Sequence, residues 1–222
     1  MSDNKIIGPA MISSPLFMVI MGSPGAGKGT QAERLSKKHA IPHISSGELL
    51  RETAKENSLT GKKLKECMDR GELAPNDLII DIMRERLGRN DCKKGFIIDG
   101  FPRAGVEAIA LEKILADQGR KLGNVIEIKI SREECLKRLS GRGRHDDKED
   151  VINRRYNIYL EQSHDVREYF KTKENLYKEI NGEKSEELIE KELNSLVTFI
   201  KEVSLRNGSF MESRSCDSRS NI

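Results

Sequence analysis

The sequence predicts an α/β fold, a parallel sheet with helices packed on its faces. Two observations predict it. Short runs rich in Ile and Val alternate along the chain with stretches of helical periodicity. The first of these runs also ends in a glycine-rich segment that opens straight into a helical stretch, the strand–loop–helix order of a phosphate-binding loop.

Phe17–Met21, Phe96–Ile98 and Val125–Ile130 read as strands, with His43–Ser45 and Leu176–Ile180 as further strand candidates. Between them lie helices with readable ends. Pro75 and Asn76 open one that places Leu78, Ile79, Ile82, Met83 and Leu87 on one face and closes at Gly88. Val106, Ile109, Ala110, Ile114 and Leu115 line another, closed by Gly119. Ser131 with Glu134 makes a capping box for a third. Asp146 or Asp147 caps a fourth that runs to about Phe170, and Ser185 starts the last, with Ile189, Leu193, Leu196 and Ile200 on one face.

Composition sets bounds on function. The chain has 222 residues, 36% of them hydrophobic, enough for a core that needs no disulfides. Lys and Arg number 39 against 36 Asp and Glu, a net charge of +3, too balanced for a nucleic-acid partner. Cys67, Cys92, Cys135 and Cys216 form no CxxC pair, so no structural zinc is expected, and free thiols suit the reducing cytoplasm. No run approaches membrane-spanning length and the start lacks a signal-peptide pattern, so no membrane partner is expected. Residues 1–15 read as a flexible extension and residues 203–222, rich in Ser, Arg and Asn, as a disordered tail.

The phosphate loop is Gly22-Ser23-Pro24-Gly25-Ala26-Gly27-Lys28-Gly29-Thr30, after an apolar strand and before a helical stretch, Gln31–His39. Glycines let backbone N–H groups turn inward around phosphate oxygens, and the helix N-terminus adds partial positive charge. Lys28 supplies a full charge for the β- and γ-phosphates. The general motif places Ser or Thr directly after the lysine; here Gly29 intervenes and Thr30 follows. This variant resembles the loop of adenylate kinases and related nucleoside monophosphate kinases.

A second motif, Asp99-Gly100-Phe101-Pro102-Arg103, ends the strand-like run at residues 96–98 and is similar to that family's signature. A carboxylate there can sit beside the magnesium of a bound nucleotide, and Arg103 can clamp a phosphate bidentately. Ile44–Arg51 resembles the segment that opens the family's monophosphate site. The resemblance implies that Ser46, Arg51, Glu72, Leu73, Ala74, Gly100, Arg103, Glu107, Arg144 and Arg155 contact AMP. It implies that Gly25, Ala26, Gly27, Lys28, Gly29, Thr30, Arg138, Arg142 and Lys184 hold ATP. The spacing Arg138-x-x-x-Arg142-x-Arg144 recurs in the family, and with Arg155 these side chains would surround the moving phosphoryl group, where planar forks suit spread negative charge. Lys28, Arg103, Arg138, Arg142, Arg144 and Arg155 are the expected catalytic residues, with Asp99 organising Mg2+ through water. His39, His43, His145 and His164 form no ligand pattern and read as surface or structural.

The resemblance covers roughly residues 16–202. It implies a P-loop NTPase-type five-stranded parallel sheet, a small helical acceptor-binding part at 45–74 and a lid at 142–147. Only residues 143–145 separate Arg142 from Asp146, so the lid is very short, with a smaller closing motion and more ATP hydrolysis without acceptor expected. The implied reaction is ATP·Mg plus AMP giving two ADP, by a monomer in the cytoplasm.

One position departs from the family pattern. Four places after the motif's arginine the family usually has Gln, which reads the AMP base; here it is Glu107. An ionised carboxylate only accepts hydrogen bonds, whereas adenine presents a donor beside an acceptor. AMP is the expected acceptor, on Ser46 and its surroundings. A UMP/CMP or other monophosphate kinase stays open, as does a Glu107 that faces away from any base. A non-catalytic nucleotide-binding module would be expected to lose the arginines. A GTPase switch would need Asn-Lys-x-Asp and Asp-x-x-Gly, and Asn4-Lys5-Ile6-Ile7 and Asp99-Gly100-Phe101-Pro102 supply neither.

Overall fold

The computed structural model describes residues 15–69, 74–141 and 149–198. The element order is β1 (Leu16–Gly22), α1 (Lys28–His39), β2 (His43–Ser45), α2 (Ser46–Thr53), α3 (Leu59–Asp69), α4 (Asn76–Gly88), a short 3-10 turn (Asn90–Lys94), β3 (Gly95–Asp99), α5 (Gly105–Asp117), β4 (Asn124–Lys129), α6 (Arg132–Ser140), α7 (Glu149–Lys171) and β5 (Tyr177–Asn181). Residues 186–198 form a further helix, α8.

All five strands are parallel, in the order β2-β3-β1-β4-β5. The chain leaves β1 toward β2 and β3 on one side and reaches β4 and β5 on the other. The end of β1 therefore lies at the point where the winding reverses, the crevice in which open α/β sheets bind ligands. β1 is buried along its whole length, as a central parallel strand covered on both faces must be.

Two cores result. On one face Val19, Met21, Ile98 and Val125 pack under α4, α5 and the end of α7, through Met83, Leu87, Leu111, Val166 and Phe170. On the other, Met18, Ile20, Ile126 and Ile128 pack under α1, α6 and α8, through Leu35, Leu139, Ile189 and Leu193. Helix α7 belongs to both, since its early Ile152 joins the second core.

Several expectations change. Helix α1 begins at Lys28 itself, not at Gln31. In α5 the buried residues are Glu107, Ala108, Leu111, Ile114 and Leu115, while Val106 and Ile109 are each 55% exposed. The helix is turned relative to its apolar pattern because its first turn packs a small residue, Gly105, against Asp165 of α7. The capping box at α6 is half made: Ser131 Oγ accepts from Glu134 N at 3.3 Å, but the Ser131 N–H goes to Glu183 at 2.7 Å. The Glu134 carboxylate binds Arg138 instead, at 2.7 Å. Asp146, Asp147, Ile200, the short lid and both terminal segments, apart from Pro15, lie outside the described residues.

Candidate active site

The loop between β1 and α1 takes its shape from backbone that L side chains resist: Gly25 and Gly27 have φ of 77° and 84°. No side chain caps α1, so the N–H groups of its first turn point at the cleft and suit an anion. Lys28 Nζ donates to Ser23 O at 2.9 Å, folding the side chain back across the loop. Burial lowers the ammonium pKa, and the charges of Arg103 and Arg155 push the same way against the opposing Asp99. A phosphate would relieve that strain by supplying negative charge.

Asp99 ends β3 in register with Ile20, beside the loop. Burial pushes its carboxyl up, but His43, Lys28 and Arg103 outweigh burial and hold it below the ordinary carboxylate value. His43 Nε2 lies 3.8 Å from Asp99 Oδ2, a charge contact too long for a hydrogen bond. His43 is thus at the site, a placement its spacing to other histidines did not suggest. Strand pairing places it there: Ser45 pairs with Asp99, and period-2 alternation puts His43 on the same face. Asp99 Oδ1 is buried without a hydrogen-bond partner. A Cβ at Gly29 would stand 3.7 Å from Oδ2. An orphaned carboxylate oxygen at the edge of an anion-binding loop fits a hydrated divalent cation that arrives with its phosphates.

Across the cleft, Gly100 O accepts from both Ser46 Oγ and Arg103 Nε, each at 2.7 Å. Ser46 is buried and Arg103 exposed to the cleft. The charges of Glu107 and Asp99 act on Arg103 against those of Arg155 and Arg51, so this group of arginines stands among carboxylates that partly offset it. Glu107 is 4% exposed, and its Oε2 accepts from the Arg103 backbone N–H at 2.6 Å. It therefore does not lie on an exposed helix face. Burial raises its pKa, against the Arg103 and Ala104 backbone donors.

On the other side of the loop, Arg138 spans three partners: Glu134 at 2.7 Å, Gly182 O at 2.8 Å and Gly25 O at 3.5 Å. The adjacent Cys135 Sγ donates to Pro24 O at 3.0 Å. Arg138 thus ties the loop after β5 to the phosphate loop. Lys184 points elsewhere, to Glu192 at 2.8 Å. Ala26 is buried under the loop, Thr30 is exposed on the first turn of α1, and Ala74 is half-buried ahead of α4. Glu72, Leu73, Arg142 and Arg144 lie outside the described residues.

The adenylate kinase family model matches residues 20–175. An adenylate kinase of Caldicellulosiruptor saccharolyticus is 42% identical over 187 residues, 70% of this chain and 87% of that protein. One from Archaeoglobus fulgidus is 37% identical over 215 residues, 83% of this chain and 99% of its own length. One from Bacillus pumilus reaches 51% over 125 residues, 56% of this chain and 58% of that protein. The first two matches span more residues than their share of this chain contains, so those relatives carry residues with no counterpart here.

Proposed function

The chain belongs to the adenylate kinase family, and from that membership we infer that it transfers the terminal phosphoryl group of ATP reversibly to AMP, giving two ADP. The observation that carries the reading is the phosphate loop, with Gly25 and Gly27 at positive φ and Lys28 folded across it, beside Asp99 and the turn where Ser46 and Arg103 meet at Gly100 O. Transfer between two phosphates needs positioning and charge neutralisation, with no covalent intermediate and no general base.

In this reading the loop N–H groups and Lys28 hold the β- and γ-phosphates of ATP. Arg138 binds the donor, and the loop at Gly182 borders its base. Arg51 and Arg103 hold the AMP phosphate, with Ser46 beneath it; Glu72, Leu73 and Ala74 cover its base and ribose. Arg142, Arg144 and Arg155 neutralise the transferring group. Mg2+ brought with ATP would be held near Asp99 through water and would offset phosphate charge. Residues 142–147 would act as a very short lid. A single chain acting on free nucleotides in the cytoplasm suffices for this chemistry. Among the described residues no helix is long and apolar enough to cross a membrane.

The test is a phosphotransfer panel of AMP, CMP, UMP and GMP with ATP, on wild type and Glu107→Gln. AMP gives the highest turnover with both. Higher turnover of wild type with another monophosphate overturns AMP as the acceptor and assigns the chain to a different monophosphate kinase.

A further inference from the structure

Among the described residues, the most deeply buried carboxylate lies outside every motif. Glu127 sits in β4 at 2% exposure, opposite Met21, one residue before the phosphate loop's first glycine. A carboxylate buried there must be matched by donors, since leaving its oxygens without partners is costly. Three side chains match it. Tyr159 of α7 donates to Oε1 and Tyr177 of β5 donates to Oε2. Arg167 Nε stands 3.6 Å from Oε2 while its Nη2 donates to Ser163 Oγ at 2.5 Å. Burial and the neighbouring carboxylate push both phenols up, so they remain donors at any physiological pH.

Arg155, Tyr159, Ser163 and Arg167 are spaced by four along α7, so they form one stripe on the helix. Its lower part is anchored at Glu127. Its upper end, Arg155, reaches the cleft, where its charge acts on both Lys28 and Arg103. Between Ile152 and Ser163 no side chain of α7 is fully buried. Tyr156 packs partly buried against the second core, and the rest of this stretch is held by polar ties. Among the described residues its polar ties include Tyr159 to Glu127, Tyr156 to Ile130 O at 3.5 Å, and Asn157 to Arg132 at the surface. The first reaches the buried carboxylate from one turn beyond Arg155.

We propose that Glu127, acting through Tyr159, is a positioning element for Arg155: the buried carboxylate sets where α7 lies over the sheet and so where that guanidinium stands in the cleft. This rests on Arg155 being one of the transfer residues. Tyr177 is the internal control, because it binds the same carboxylate from β5 and does not lie on the helix that carries Arg155.

The experiment measures kcat, KM and Tm for Tyr159→Phe, Tyr177→Phe, Arg155→Ala and the Tyr159→Phe/Arg155→Ala double variant. Both phenylalanine variants lower Tm, each stripping one donor from a buried acceptor. Tyr159→Phe also lowers kcat, by about 10- to 100-fold, the loss that a displacement near 1 Å produces. Tyr177→Phe keeps kcat within about twofold of wild type, since Tyr177 is not on the helix that carries Arg155. In the Arg155→Ala background, Tyr159→Phe causes no further loss of kcat. Equal kcat losses from the two phenylalanine variants, or a full additive loss in the double variant, overturn the proposal. Wild-type kcat in Arg155→Ala would instead overturn the role given to Arg155, so the two failures are distinguishable. The same cycle with Glu127→Gln in place of Tyr159→Phe keeps the test decisive if the latter does not fold.

Discussion

The backbone N–H of Arg103 donates to Glu107 Oε2 at 2.6 Å, binding the first turn of α5 to the turn in which the Arg103 side chain meets Gly100 O. Glu107 sits at the third position of the helix, where a carboxylate can reach back to the N–H groups ahead of the cap. One oxygen is thereby committed to the backbone.

This arrangement sets a pH dependence. Burial raises the folded-state pKa of Glu107 above its ordinary 4.5. The folded chain then binds that proton more tightly than the unfolded chain, so this group's contribution to stability is full below the ordinary value and falls as pH rises through the folded pKa. Glu107→Gln removes the titration. The stability of the variant relative to wild type should increase from pH 4.5 upward, read as the difference in Tm across a pH series. A difference that is flat with pH, or that shrinks as pH rises, refutes the assignment.

Gly100 predicts a selective acceptor defect. Its φ is 80°, and an added Cβ would stand 2.7 Å from Ser46 Oγ and 3.2 Å from an Arg103 nitrogen. Gly100→Ala should cost about 1–2 kcal/mol of backbone strain. It should also raise KM for AMP several-fold while leaving KM for ATP near its starting value. Equal effects on both nucleotides would count against this placement of the acceptor.

Lys28→Ala should lower kcat by about 10²–10³-fold or more, the range for losing one preorganised charge stabiliser. Folding should survive, because burial already disfavours this ammonium in the free protein. Circular dichroism and Tm check the fold, and a coupled assay for ADP checks the rate. Substantial turnover in a folded Lys28→Ala protein refutes the role.

Arg138→Lys keeps the charge and loses the fork that joins Glu134, Gly182 O and Gly25 O. A hydrogen bond to a charged group is worth about 1.5–3 kcal/mol, so KM for ATP should rise roughly tenfold or more, with KM for AMP little changed. Titration of KM for each nucleotide separately decides it.

How much was legible in the sequence follows from where each requirement is written. The phosphate loop was legible because its backbone demands glycines, and glycines stand in the sequence whatever lies around them. Asp99 and Arg103 were legible for a related reason: they lie at fixed offsets from a strand end. The rotation of α5 was not legible. Its apolar pattern placed Val106 and Ile109 in the core, yet the helix packs Gly105 against Asp165 and turns those two residues outward. Glu127 was hidden as well, a carboxylate inside the largely apolar run 125–130 whose two tyrosine partners lie 32 and 50 residues further along the chain.

The sequence by itself determined the parallel α/β frame, the phosphate loop and the set of charged residues available for transfer, because these depend on local backbone conformation and periodicity. Tertiary structure alone decided which of those charges share a field, that His43 stands beside Asp99, and that Glu107 and Glu127 are buried. Those outcomes depend on how helices settle on the sheet, a balance of packing across residues far apart in the chain, and no local pattern encodes it.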